Sequence, residues 1–250
     1  MEAYTDFAYL YDTFMEDVPY EQWADLLSSL FKAYGDKIEK VLDLGCGTGT
    51  LTELLSEMGY KMTGADLSED MLAVASEKAY ESGNDILYIN QDMRELSLLE
   101  KQDAVICVCD SINYLLLDED MVETFKHIKD SLRTGGILIF DFNTIYKYET
   151  VIGDTTIAEN REDCSFIWEN FYEPSTQINE YQVTFFVRDD EEDEDIFRRF
   201  EESHIQRGYE LSKMRALLEA SGLKFVTALD ETTKKTPTDE SERIYIIARN

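Results

Sequence analysis

The sequence predicts an α/β fold: a doubly wound, mostly parallel sheet of seven strands that carries a small antiparallel β insertion. Three observations predict it. Short apolar runs alternate with amphipathic helical segments over residues 41–141, the pattern of strands covered by helices on both faces. The stretch VLDLGCGTG at 41–49 passes from an apolar strand into a helix through glycines at alternate positions. Between about 152 and 209 the helical period disappears, and strand-like segments follow one another through turns.

Each element has its own signal. Trp23, Leu26, Leu27, Leu30 and Phe31 recur at helical spacing, so a helix is expected over Tyr20–Tyr34 with Gly35 just past its end. Val41–Leu44 is the first strand. Leu51, Leu54, Leu55 and Met58 share the next helical face, which Gly59 ends. Lys61–Ala65 is the second strand and closes on Asp66. Ser68, ahead of Glu69 and Asp70, supplies a helix N-cap with acids in the first turn, and that helix should run to about Ser82. Ile86–Ile89 and Ala104–Val108 read as strands, Met121–Leu132 as a helix closed by Gly135 and Gly136, and Ile137–Asp141 as the fifth strand.

In the insertion, CSFIWENF, EYQVTFFV and FRRFEESHIQ read as strands. The block DDEEDED, Asp189 to Asp195, reads as a solvated hairpin tip, with a collar for a cationic substrate as the alternative. Glu210–Ser221 restores helical spacing, and Lys224–Leu229 and Ile244–Ala248 complete the sheet. The expected organisation is a lid and core over 1–151, the insertion over 152–209, and a last helix with two strands over 210–250.

Composition narrows the function. A formal net charge of -30, with no run of Lys and Arg, repels nucleic acid and anionic membranes. No apolar stretch approaches the roughly 20 residues of a membrane span, and the acidic N-terminus is unlike a secretory signal, so a cytoplasmic protein is expected. The 4 cysteines lack paired zinc spacing and suit reduced thiols, and no metal site is expected. Cys107 and Cys109 alternate along a strand-like run and should face the same side.

Glycine at a strand-to-helix turn lets backbone N–H groups approach a ligand closely. At the carboxyl edge of a parallel sheet, such a turn is where doubly wound folds bind nucleotides. The spacing of Gly45, Gly47 and Gly49 departs from the dinucleotide fingerprint. Asp43, on the strand before the turn, suits an ammonium group better than a pyrophosphate.

Four segments in one order then carry a resemblance: VLDLGCGTG, GADLSEDML, NQDMREL and DAVICVCDSINYL. Together they resemble the class I S-adenosylmethionine-dependent methyltransferases, of the small-molecule type with a β insertion after the fifth strand. The resemblance implies a Rossmann-like methyltransferase fold with S-adenosylmethionine as cofactor. It implies that Asp66 accepts both ribose hydroxyls, and that Asp92 accepts the adenine amino group while Met93 lies against the ring. Gly45 and Gly47 would let the methionine portion lie on the backbone, with Asp43 orienting its ammonium. Leu67 and Cys109 would line the cofactor.

The expected chemistry is in-line transfer of a methyl group to an N or O atom of a small, and in one reading cationic, acceptor. Asp110, in the loop after the fourth strand, is the leading acceptor-side residue. Tyr11 belongs to a lid-like aromatic segment, and His204 is a candidate base because histidine titrates in the useful range. The insertion resembles the cover of small-molecule enzymes and offers a homodimer contact. The alternatives are a methyltransferase acting on tRNA or protein, and a nucleotide-binding regulatory module without turnover.

Overall fold

The computed structural model describes residues 8, 11–12, 14–15, 18–188 and 196–250. The acidic block at 189–195 therefore lies outside the described residues. The helices are α1 (Tyr20–Tyr34), α2 (Thr50–Glu57), α3 (Glu69–Ser82), α4 (Asp118–Ser131) and α5 (Leu211–Ala220). The core strands are β1 (Lys40–Leu44), β2 (Lys61–Asp66), β3 (Leu87–Asn90), β4 (Gln102–Cys107), β5 (Leu132–Asn143), β10 (Lys224–Asp230) and β11 (Arg243–Arg249).

These seven strands form one sheet in the order β10-β11-β5-β4-β1-β2-β3. The pairs β1–β2, β2–β3, β1–β4 and β4–β5 are parallel. β11 enters antiparallel between β5 and β10. After β3 the chain crosses to the other side of β1, so the strand order reverses between β1 and β4. Loops leaving the carboxyl ends of these two strands diverge there and open a crevice.

Side-chain alternation explains the two layers. Leu42, Val105, Leu138 and Phe140 point to one face, where they meet Phe125 and Ile128 of α4 and Met214 and Leu218 of α5. Val41, Ala104, Ile106, Ile137 and Ile139 point to the other, against Leu27 and Phe31 of α1 and Leu51 and Leu55 of α2. Both sheet faces are thus apolar because both are covered.

Beyond β5 the chain builds a second sheet from β6 (Thr156–Asn160), β7 (Cys164–Glu173), β8 (Ile178–Arg188) and β9 (Phe197–Arg207). It is an antiparallel meander in that order. Thr144 pairs with Tyr209, so the segment leaves and rejoins the core at one point. Phe166, Val183 and Phe185 on its inner face pack with Phe14 of the N-terminal segment and Met71 of α3.

Three local expectations change. α4 begins at Asp118 instead of Met121, with Asp118, Glu119 and Asp120 in its first turn, where acids favour the helix dipole. Gly135 and Gly136 do not stop that helix; they lie within β5, whose pairing with β4 shifts register between Gln102 and Ala104. The strand β6 carried no signal, since all five of its residues are exposed and no apolar alternation was required.

Candidate functional site

A cleft of about 1330 Å³ opens over the carboxyl ends of β1, β2 and β4 and beneath the inner face of the second sheet. All eleven residues singled out from the sequence line it: Tyr11, Asp43, Gly45, Gly47, Asp66, Leu67, Asp92, Met93, Cys109, Asp110 and His204.

At the end of β1, the Asp43 carboxyl is 2% exposed. Thr52 Oγ1 donates to its Oδ2 at 2.6 Å. Burial pushes the Asp43 pKa up to about 7, against the lowering effect of the Thr52 bond. The chain then turns sharply, with Gly45 at φ +78° and Gly47 at φ +54°. A Cβ on Gly47 would stand in open space, so the glycine is required there by the left-handed backbone. Gly47 N–H donates to Asp66 Oδ2 at 2.8 Å and Ser68 N–H to Oδ1 at 2.9 Å, which fixes the carboxylate at the tip of β2.

Ser68 also caps α3 by accepting from Met71 N–H. The next residue along from Asp66, Leu67, is 66% exposed and lends the cleft an apolar surface. Asp92 accepts from the backbone and guanidinium of Arg94, and that hydrogen bonding holds its pKa below the ordinary value.

The turn after β4 departs from expectation. The strand ends at Cys107, and both Cys109 (φ +62°) and Asp110 (φ +52°) are left-handed. Alternation is thereby broken, so Cys107 and Cys109 do not face one side: Cys107 is fully buried while Cys109 lines the cleft. Burial pushes the Cys109 thiol up to about 12. Non-glycine residues in this region cost on the order of 1–3 kcal/mol each and persist only when held.

Asp141 holds them. Its carboxylate accepts Cys109 N–H at 3.2 Å and Asp110 N–H at 2.8 Å. Arg243 bridges Asp141 to the Asp110 carboxylate, whose other oxygen accepts from Gln206 Nε2 at 2.8 Å. Asp110 therefore lines the cleft with both oxygens engaged. Sequence reasoning missed Asp141 and Arg243 as site residues. A signal existed in ILIFDFN, where one acid interrupts an apolar strand as Asp43 does in VLDL.

On the opposite wall, His204 Nδ1 lies 2.9 Å from Tyr114 Oη, which is 3.1 Å from Tyr181 Oη. The imidazole stacks on Tyr181 with centroids 4.8 Å apart. Desolvation holds the His204 pKa below its ordinary value, opposed by Asp110. Burial raises the Tyr11 hydroxyl well above the usual tyrosine value, so it stays protonated. Its neighbour Asp12 accepts from Thr48 Oγ1 at 2.6 Å and pairs with Lys78 at 2.5 Å, tying the N-terminal segment to the glycine turn and to α3. Among the described residues no group of three or more His, Cys, Asp and Glu is arranged to hold a metal ion.

Residues 41–136 match the model of a methyltransferase domain family. A Geobacillus sp. (strain WCH70) protein, assigned to the methyltransferases without a stated substrate, is 35% identical over 248 residues and 99% of each chain. The dTDP-3-amino-3,4,6-trideoxy-alpha-D-glucopyranose N,N-dimethyltransferase of Streptomyces venezuelae is 28% identical over 138 residues, 54% of this chain and 56% of that protein. Among solved structures, an S-adenosylmethionine-dependent methyltransferase from Clostridium acetobutylicum ATCC 824 superimposes with a TM-score of 0.87 at 30% identity, over 98% of both chains.

S-adenosylmethionine is the cofactor these relationships give, and the cleft fits it. The glycine turn leaves open space at Gly47. Leu67 offers an exposed apolar face. Asp43 turns a buried carboxyl to the cleft with no cation within 4 Å among the described residues, a match for an ammonium. The chain belongs to the S-adenosylmethionine-dependent methyltransferase family.

Proposed function

We propose that this methyltransferase transfers its methyl group in line to a nitrogen or oxygen atom of a small acceptor held between the turn after β4 and the inner face of the second sheet. The observation that carries this reading is the aromatic lining. Trp168, Tyr181 and His204 line the cleft on the side of the second sheet, so aromatic faces border the acceptor end. An amine would enter among aromatic faces that favour cations.

When bound, S-adenosylmethionine supplies a methyl group already activated on a sulfonium. In our reading Asp66 accepts the ribose hydroxyls, while Asp92 and Met93 hold the adenine. Gly45 and Gly47 admit the methionine portion, Asp43 takes its ammonium, and Leu67 and Cys109 complete the lining. Tyr11 closes the cleft as a neutral hydroxyl. Asp110, engaged by Arg243 and Gln206, orients the turn toward the acceptor, and His204 takes the proton of a hydroxyl acceptor. Alignment and exclusion of water do the rest, and can lower such a barrier by roughly 7–11 kcal/mol in favourable cases.

We assign 1–151 to lid and core, 152–209 to the cover and 210–250 to completion of the sheet, in a cytoplasmic enzyme whose cover also suits a homodimer contact. Among the described residues no helix is long and apolar enough to cross a membrane. Activity on tRNA is the weaker reading, because a net charge of -30 opposes a phosphate backbone. The test is release of S-adenosylhomocysteine over a panel of small amines, alcohols and hydroxy acids, with tRNA and protein as controls. Release with a macromolecule alone would overturn the proposal, and cofactor binding without any release would mark a regulatory module.

A further inference from the structure

We propose that Lys147 anchors an oxyanion, a carboxylate or a phosphate, carried by the methyl acceptor. This rests on the small-acceptor reading above and narrows it to an amine or alcohol bearing a negative group. Lys147 opens a wide turn, Lys147–Ile152, directly after β5. Its backbone N–H donates to Thr144 Oγ1 at 3.2 Å. The next residue, Tyr148, is 1% exposed, with its hydroxyl fixed between Asn143 Nδ2 at 3.0 Å and Gln206 Oε1 at 2.7 Å. The turn is therefore pinned, and the lysine it presents lines the cleft beside Asp110 and Arg243.

Two cations, Arg243 and Lys147, share this end with the carboxylates of Asp110 and Asp141, and of the two only Arg243 touches them among the described residues. Lys147 Nζ donates to one neutral atom, Asn143 Oδ1, at 3.0 Å, and Arg243 Nε shares that atom at 3.2 Å. Among the described residues no carboxylate lies within 4 Å of Nζ; Asp110, Asp141 and Glu242 act on it only from farther away. An ammonium carries three donors, and a largely desolvated one with a single neutral acceptor is complementary to an anion. Burial and the Arg243 charge disfavour its protonated form, an effect a bound oxyanion would reverse. In a chain with 53 acidic and 23 basic residues, a cation on the cleft wall without an ion-pair partner is a selective feature.

The test is calorimetry on the full chain loaded with S-adenosylhomocysteine, using acetate, benzoate and inorganic phosphate as probes and acetamide and benzamide as uncharged controls. We expect at least one anion to bind about tenfold tighter than the amides, the scale of one charge-assisted hydrogen bond. Lys147→Met should abolish the preference and Lys147→Arg should retain part of it, with S-adenosylhomocysteine binding in both variants as the control for folding. A response to the carboxylates identifies a carboxylate, and a response to phosphate alone a phosphoryl group. Anions that bind no better than amides in the wild type, or a preference that survives in Lys147→Met, would overturn the proposal. The titration requires no turnover, so a chain acting only on macromolecules would fail the acceptor panel without changing this result.

Discussion

Arg243 Nη1 stands 3.5 Å from Asp141 Oδ2, joining the first residue of β11 to a carboxylate that is wholly buried in β5. Through Asp110 the same guanidinium reaches the turn where the cleft begins. Replacing Arg243 by Met leaves two carboxylates facing each other without their cation. Removing one partner of a buried pair costs about 3–5 kcal/mol, so Arg243→Met should lower urea-unfolding stability by that order. The pH dependence follows from Asp141, whose pKa burial already raises despite Arg243. A raised carboxyl contributes stability at low pH that is lost as pH rises, so the deficit should widen from pH 5 to pH 8. A variant as stable as wild type at pH 8 would show that the pair is not holding the turn.

Asp66 receives N–H groups from both sides of the cleft entrance, Gly47 and Ser68. In the proposed contact its remaining lone pairs accept two ribose hydroxyls. Asp66→Ala should weaken S-adenosylmethionine binding by about 1.5–3 kcal/mol, the range for hydrogen bonds to a charged group. Calorimetry checks this directly. Unchanged affinity would remove Asp66 from the proposed contact.

Which parts of this molecule were legible in the sequence follows from the range of the interactions concerned. The glycine turn, the Ser68 cap and the alternating strands are local: each is decided by residues within a few positions, so periodicity and turn chemistry reveal them. Nine of the eleven candidate residues, from Asp43 to Asp110, converge on one cleft because they lie at or just beyond strand ends, which were readable, whereas Tyr11 comes from the N-terminal segment and His204 from within β9. What stayed hidden depends on distance in sequence. Arg243 meets Asp110 across 133 positions and Gln206 meets it across 96, contacts that no local pattern encodes. The left-handed turn at Cys109 and Asp110 was hidden for the same reason, since Asp141 stabilises it from another strand. Strand β6 lacked the apolar alternation that would have marked it, having only the adjacent Ile157 and Ala158, because neither of its faces is buried.

With Asp43 as the proposed partner of the cofactor ammonium, cofactor binding should depend on pH. Its pKa in the free protein is pushed up to about 7, so below that pH it is largely protonated and uncharged. An ammonium placed beside it favours the carboxylate, so binding should release a proton below pH 7. Affinity for S-adenosylmethionine should then rise with pH, by up to about tenfold per unit below 7, and level off above it. Calorimetry in buffers of different ionisation enthalpy measures both the affinity and the released proton. Asp43→Asn should bind more weakly at pH 8 and lose the slope. A slope that persists in Asp43→Asn would assign the titration to another group.

With His204 as the proposed base, the rate of a hydroxyl-directed reaction should depend on pH as well. Burial holds its pKa below the ordinary 6.5, so the imidazole is neutral at pH 7 and able to accept a proton. Its Nδ1 is engaged by the Tyr114 hydroxyl, and the stacked Tyr181 ring fixes the plane of the imidazole. For a hydroxyl acceptor, kcat should hold steady near neutrality and fall on the acid side, below 6.5, as the imidazole takes up a proton. His204→Gln should lower kcat by roughly 10²–10⁴-fold, the range for general base catalysis, and flatten that limb. Tyr114→Phe should lower it less, since it loosens the ring without removing the base. An amine acceptor that arrives neutral needs no base, and its rate should survive His204→Gln with only KM altered. A hydroxyl acceptor turned over by His204→Gln at the wild-type rate across pH 5–8 would exclude His204 as the base.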